Sequence, residues 1–165
     1  MTTTITGATG VNQITDDAVT PAKLPNGSVI QFVRATGSTE TSSTATSYVS
    51  TNASVTITPL SSSSHIYLSH TAGGLLRNSS GQIGLKIIRA VSGGATTDIY
   101  QSNRYGYCSS DNIWIPTNWA VVDVDEAHNT TSAITYTIQI NQNGSGEVRH
   151  CDTASWNFVA MEFAQ

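Results

Sequence analysis

Charge is scarce in this 165-residue chain. Seven Lys and Arg and eleven Asp and Glu make up 11% of it, against about 25% in an average soluble domain. The seven basic residues are scattered and the net charge is −4, so there is no electrostatic footprint for a phosphate backbone and nucleic acid is not expected as a partner. Cysteine is nearly absent. Cys108 and Cys151 lie far apart with no Cys-x-x-Cys pairing, which argues against a zinc ribbon and a disulfide framework and for two reduced thiols. No window approaches the roughly 18 apolar residues of a membrane span. Met1-Thr-Thr-Thr-Ile5 has neither the basic start nor the apolar core of a signal peptide, so a protein made in a cytoplasm and not inserted in a membrane is expected.

Hydroxyls replace the missing charge. Ser and Thr number 45, more than a quarter of the chain. Thr is β-branched and suits the wet face of a strand, whereas exposed helix faces want the Glu, Lys, Arg and Ala that are in short supply here. A helical bundle and a coiled coil are excluded on this ground, and the length suits one β domain with one core.

The first 27 residues differ from the rest. Their apolar residues Ile5, Val11, Ile14, Val19 and Leu24 are too sparse for a core, and Gly7, Gly10, Pro21, Pro25 and Gly27 interrupt any long element. Residues 1–27 are therefore expected to be an extended arm, with one or two short helical turns near Thr15–Leu24, that orders by docking on a partner.

From Ser28 onward the chain alternates with period two between turn signals, the pattern of a sandwich or barrel. The clearest strand is Ala133–Ile140, with Ile134, Tyr136, Ile138 and Ile140 on one face and Thr135, Thr137 and Gln139 on the other. Val55 and Ile57, Ile66 and Leu68, and Ile83, Leu85 and Ile87 repeat it. Further strands are expected near 28–35, 98–107, 112–115, 119–124, 147–151 and 155–163, nine or ten segments in all. Turns are expected at Pro59 and its serines, Gly73-Gly74, Asn78–Gly81, Ser92–Gly94, Glu126–Asn129 and Asn141–Gly146. Two segments are apolar on both faces: Val29 and Val33 oppose Ile30 and Phe32, and Trp156, Phe158 and Ala160 oppose Val159, Met161 and Phe163. A sandwich needs only one dry face per strand. The second face calls for another cover, and Val29, Phe32, Val159, Met161 and Phe163 are expected to meet a second subunit.

The order of these segments resembles domains common at the C-terminal ends of tail-fibre and related virion proteins of tailed bacteriophages. The resemblance runs over most of the chain. Gly7-Ala-Thr-Gly-Val11 with Asp16-Asp-Ala-Val-Thr-Pro-Ala-Lys-Leu24 resembles the segment leading into such domains, and Gly27-Ser-Val-Ile-Gln-Phe-Val33 their first strand. Ser54-Val-Thr-Ile-Thr-Pro59 with the serines and His65-Ile-Tyr-Leu68 is similar to their second strand, serine turn and third strand. Ile83-Gly-Leu-Lys-Ile-Ile-Arg89, Thr130–Gln139 and Phe158–Ala164 are similar to later strands. Asp123-Val-Asp-Glu-Ala-His128 departs from the family's usual acidic-Ser-Pro step. The resemblance implies an all-β, jelly-roll-like antiparallel sandwich behind an N-terminal arm, assembled as a homotrimer on the outside of a virion.

Three kinds of chemistry were weighed. No nucleophile elbow, zincin, Walker or dinucleotide motif is present, and with 45 hydroxyls a serine near His65, His70, His128 or His150 is expected by chance, so the chain is read as non-enzymatic. The cluster Asp123, Asp125, Glu126 and His128 lacks the Gly and the distal Glu of a calcium loop and reads as a solvated turn; no metal or cofactor is expected. The third kind is glycan recognition. Tyr100, Arg104, Tyr105, Tyr107, Trp114 and Trp119, interleaved with Gln101, Asn103, Asp111, Asn112 and Asn118, suit flat sugar faces and their hydroxyls. The same aromatics suit a core or subunit seam, and that reading is placed ahead of receptor binding. The expected function is a homotrimeric exterior appendage of tail-fibre type that contacts a host surface glycan, its arm docked on another virion protein. The alternative is a capsid decoration or head-fibre protein clamped to the shell by that arm. A free cellular carbohydrate-binding module fits less well, given the arm and the lack of a secretion signal.

Overall fold

A computed structural model describes residue 20 and residues 23–108, 113–152 and 154–165, and gives the backbone alone for 75–80, 108, 113–115 and 117. Alternating Ile, Val and Thr leave no α-helix among these residues and produce eight strands. They are β1 (Val29–Gly37), β2 (Thr41–Ser43), β3 (Val49–Ile57), β4 (His65–Val91), β5 (Thr96–Cys108), β6 (Ile113–Asp125), β7 (Ile134–His150) and β8 (Trp156–Phe163). Every pairing is antiparallel.

The 27-residue β4 organises the rest. Its first part lies between β8 and β6, and its second part between β7 and β5. The result is a sandwich of two sheets, β1-β8-β4-β6 and β5-β4-β7-β3, with β2 on the far end of β7 and β3 packed over β1 and β8. The interior holds Ala53, Val55 and Ile57 of β3, Ile66, Leu68, Ile83, Leu85 and Ile87 of β4, Ile134, Tyr136, Ile138 and Ile140 of β7, and Phe158 and Ala160 of β8. Even-numbered residues of β4 point inward up to Ala72 and odd-numbered ones from Ile83. The change of parity follows a register irregularity against β7 between Asn78 and Gly81.

The sandwich expected from the sequence is present, and its segmentation differs. The segments around Ile66 and Ile83 are one strand, as are those around Ile113 and Trp119 and those around Ile134 and Val148. Gly73-Gly74, Asn78–Gly81 and Asn141–Gly146, expected as turns, run inside these strands. The reason is close approach. A Cβ on Gly74 would stand 2.5 Å from the Arg149 carbonyl oxygen and 3.1 Å from the Trp119 ring, so glycine there marks a backbone contact and not a reversal. Pro59–Ser64 and Ser92–Gly94 do form turns, with Gly93 at φ 75°. Of the arm, Ile5, Val11, Ile14 and Val19 lie outside the described residues. Its described end is fastened: Gly27 N donates to the Ala164 carbonyl at 2.8 Å and Ala164 N to the Ser28 carbonyl at 2.9 Å.

Gly74→Ala should therefore destabilise the fold by about 1–3 kcal/mol, because an arriving methyl must push apart β4, β7 and the Trp119 ring. Gly93→Ala, in open space but at positive φ, should cost about 1 kcal/mol. Urea denaturation of the two variants should rank them in that order.

Candidate functional site

Residues paired directly across an antiparallel ladder project from the same side of the sheet. The pairings of β1-β8-β4-β6 thus form rows on its outer face: Phe32–Met161–Tyr67–Val124, then Arg34–Val159–Ser69–Val122, flanked by Val29–Phe163–His65. Phe32 is 59% exposed and Val122 54%, with Val29 and Val124 also exposed. Tyr67 and Phe163 meet edge to face with ring centroids 6.5 Å apart. All five residues expected at a subunit contact, Val29, Phe32, Val159, Met161 and Phe163, lie on this face. Tyr67, Val122 and Val124 extend it by two strands. The signal for the last two was legible as the run Trp119-Ala-Val-Val-Asp-Val124, apolar at both parities.

The outer face of β5-β4-β7-β3 has the opposite chemistry. Its rows are Tyr107–Gln82–Asn143, Gln101–Lys86–Gln139–Ser50 and Thr96–Ala90–Thr135–Thr56. Thr56 and Thr135 hydroxyls bond at 2.9 Å, and Gln139 Nε2 donates to Ser50 Oγ at 3.1 Å. Tyr48, from the segment leading into β3, lies over this face. Its hydroxyl donates to Asn103 Oδ1 at 2.9 Å, and its ring receives the Lys86 ammonium 4.5 Å from the centroid. Gln101 Nε2 also donates to Asn103 Oδ1 at 2.9 Å, and Lys86 Nζ to Asp98 at 2.8 Å. Burial and the nearby Asp98 carboxylate push the Tyr48 hydroxyl above its ordinary pKa, so it stays a donor.

The aromatic cluster expected from the sequence is divided by this geometry. Trp119 is 1% exposed and inward on β6 opposite Ala72, which agrees with the core reading placed ahead and removes it from the receptor-binding set. The Tyr105 ring packs against Trp119 at 6.3 Å, and its hydroxyl is spent on the Ala120 backbone at 2.6 Å. Tyr100 is half-buried against the core. Arg104 and Tyr107 are exposed, Tyr107 by 62%, and line an open cleft with Gln82. The Trp114 side chain lies outside the described residues, as do Asp111 and Asn112. Gln82, Tyr48 and Asn143 were not singled out in the sequence, because only the β4–β5 and β4–β7 registers bring them beside Tyr107 and Asn103.

No protein-family model matches the chain, and no curated protein is significantly similar to it. Function has to be read from the two faces and from what the buried polar groups do.

Those buried groups are structural. Asp125, expected in a solvated turn, is buried. It accepts from Arg89 at 2.8 and 2.9 Å and from the Tyr136 hydroxyl at 2.7 Å, tying the ends of β4, β6 and β7. Burial, then the Asp125 charge, drives the Tyr136 hydroxyl far above the usual tyrosine range. Asp123 turns back to its neighbour's amide, Glu126 lies 3.9 Å from His65, and His128 is buried, so the acidic cluster is dispersed. No three His, Cys, Asp or Glu among the described residues are placed to hold a metal.

Ser64, His128 and Glu162 touch, but in the order Glu–Ser–His. The Ser64 hydroxyl donates to Glu162 at 2.6 Å and lies 3.2 Å from His128 Nε2. Glu162 also accepts from the Leu60 and Ser61 amides at 2.9 and 3.1 Å. Catalysis by such a trio needs the carboxylate on the far ring nitrogen and the hydroxyl in a cleft. Here His128 Nδ1 faces the Thr130 carbonyl, and Ser64 is 1% exposed. The trio fixes the serine turn to β8.

The last buried pair is His70 of β4 and His150 of β7. Their Nε2 atoms are 3.1 Å apart and the rings stack 5.2 Å between centroids, with Trp119 and Phe158 against them. One N–H donates to the other's lone pair, which requires the accepting ring to be neutral. Burial, and then the neighbouring His150, lowers His70 to about 3; burial lowers His150 to about 4. Both native values lie below the unfolded value near 6.5, so the unfolded chain binds more protons and stability falls as pH drops. From pH 7 to pH 5 each ring should cost about 2 kcal/mol. Denaturant midpoints over that interval should fall steeply for the natural chain and flatten for His70→Leu/His150→Leu.

Proposed function

We propose that the protein is a non-enzymatic structural protein of a tailed-bacteriophage virion, a homotrimeric exterior appendage of tail-fibre type that turns its polar face to a host surface glycan. The observation that carries the reading is the apolar outer face of β1-β8-β4-β6. A sandwich is complete once its two inner faces meet, and it has no use for Phe32, Tyr67, Val122, Val124, Met161 and Phe163 on the outside. Four strands about 4.8 Å apart and three rows about 6.8 Å apart give this face roughly 400 Å². An exposed apolar patch of that size is often a functional contact. A second copy is the occupant that brings an equally apolar surface. Threefold order, virion location and docking through residues 1–27 come from the sequence resemblance, which also spans β1, β8 and the start of β4 in this face. The amide and hydroxyl face on the other sheet suits sugars, which offer hydroxyls to bond and flat apolar faces to stack.

Light scattering should give three times the 17.4 kDa chain mass. Phe32→Asp with Val124→Lys, both exposed and away from the core, should give a folded monomer. A monomeric natural chain would sink the assembly claim. Deleting residues 1–19 should leave the trimer intact and abolish its incorporation into particles; retained incorporation would refute arm docking. Densitometry of purified virions should show copy numbers on the scale of tail proteins, and stoichiometry near the major shell protein would instead make this a decoration protein.

A further inference from the structure

We propose that the cleft between Gln82, Arg104 and Tyr107 binds a uronic-acid residue of an acidic polysaccharide. The inference rests on the reading of this sheet as the glycan-facing one and adds to it a position, a charge and a sugar class.

Three observations point to a carboxylate-bearing sugar. Gln82 and Tyr107 are direct partners across β4 and β5, so the amide and the ring stand side by side on the outer face. Arg104 comes from the irregular stretch where Ser102–Gly106 of β5 faces Leu85–Ile83 of β4, an excess of residues that re-aims side chains. It completes the cleft with them. Arg104 is exposed, and among the described residues no carboxylate pairs with it. Its neighbours on this sheet are committed: Lys86 to Asp98 and Arg89 to Asp125. A guanidinium fork matches a carboxylate through two parallel hydrogen bonds. The exposed Tyr107 ring offers a flat apolar platform for the C–H face of a pyranose, and the Gln82 amide offers both a donor and an acceptor to its hydroxyls.

The β5 backbone beside the cleft is already held. Asn103, next to Arg104, is held by Tyr48 and Gln101 through its side chain and by Asn143 through its carbonyl. A ligand therefore meets a held backbone and has to order only the exposed Arg104 and Tyr107 side chains. The single cation also sets the class. A nucleic acid or polyphosphate needs a row of basic residues, which the described part of this face lacks. One Arg beside an amide and a ring fits one carboxylate per bound sugar.

The test uses the full chain with oligogalacturonate and oligoglucuronate against neutral oligogalactose and oligoglucose of the same lengths, by calorimetry. At least one acidic oligomer should bind about tenfold tighter than its neutral counterpart. Arg104→Gln should erase that preference without changing neutral binding, Arg104→Lys should keep part of it, and Tyr107→Ala should weaken acidic and neutral oligomers alike. Equal affinities, no binding at millimolar sugar, or a preference that survives Arg104→Gln would overturn the site. Light scattering on the same samples separates this outcome from the assembly claim: a monomer that prefers uronates keeps the site and loses the trimer, and a trimer that binds none does the reverse.

Discussion

The fold depends on one strand serving two sheets. β4 changes partner on one side from β8 to β7 at Ala72–Gly74 and on the other from β6 to β5 beyond Asn78. β4 also reverses which of its faces is inward between Ala72 and Ile83, and the irregularity at Asn78–Gly81 lies within that stretch. With register pinned on both sides of β4, neither sheet can slide without moving the other. The crossing also explains the close backbone approach at Gly74, where β4, β7 and Trp119 converge. The His70–His150 pair sits at the same junction, one ring from β4 and one from β7. Two imidazoles share one hydrogen bond there without a charge, while the Nδ1 atom of each is buried with no partner.

Two of the scarce carboxylates, Asp125 and Glu162, lie inside. Asp125 with Arg89 and Tyr136 closes one set of strand ends, and Glu162 with Ser64 and two backbone amides closes another. Such buried pairs add little net stability, since desolvation cancels much of the attraction, but losing one partner typically costs about 3–5 kcal/mol. Their effect is geometric. They fix where the serine turn and the Glu126–Asn129 loop leave the sheets. Hydroxyls and amides can then coat the outside, because none of them has to hold the ends together.

How far this was legible follows from the physics of each signal. Period-two alternation reports burial directly, so Ile134–Ile140, Val55–Ile57 and β8 were read correctly as to face, whereas in β1 a register shift between Val29 and Gln31 puts Val29 on the outer face with Phe32, which alternation alone sets opposite it. Glycine reports only that a side chain is not tolerated, and at Gly74 a tertiary approach, not a turn, excludes it. The long strands were cut at these points for that reason. Aromatic clustering in sequence proved equally ambiguous: Tyr105 and Tyr107 differ by two residues, yet an intervening irregularity sends one ring to Trp119 and leaves the other in solvent. Acidic clustering at Asp123–Glu126 hid a buried ion pair whose partner, Arg89, lies 36 residues away. Contacts of that separation leave no local trace.

The two outer faces of a sandwich point in opposite directions, and that alone links the two proposals. Whatever buries Phe32, Met161, Tyr67 and Val124 turns Gln82, Arg104 and Tyr107 away from the contact. The apolar face gains by association because it removes carbon from water. The other face gains nothing by meeting its own copy, since its hydroxyls and amides already bond one another and water equally well. A threefold assembly built on the first face therefore displays three copies of the second on one rigid body. Single sugar contacts at an open cleft are weak, but three clefts at fixed spacing on one polysaccharide turn the later contacts into intramolecular ones and raise the overall affinity by about 10²–10⁴ where the spacing can be spanned. Assembly and recognition would then be coupled through geometry, with no conformational change required of either face.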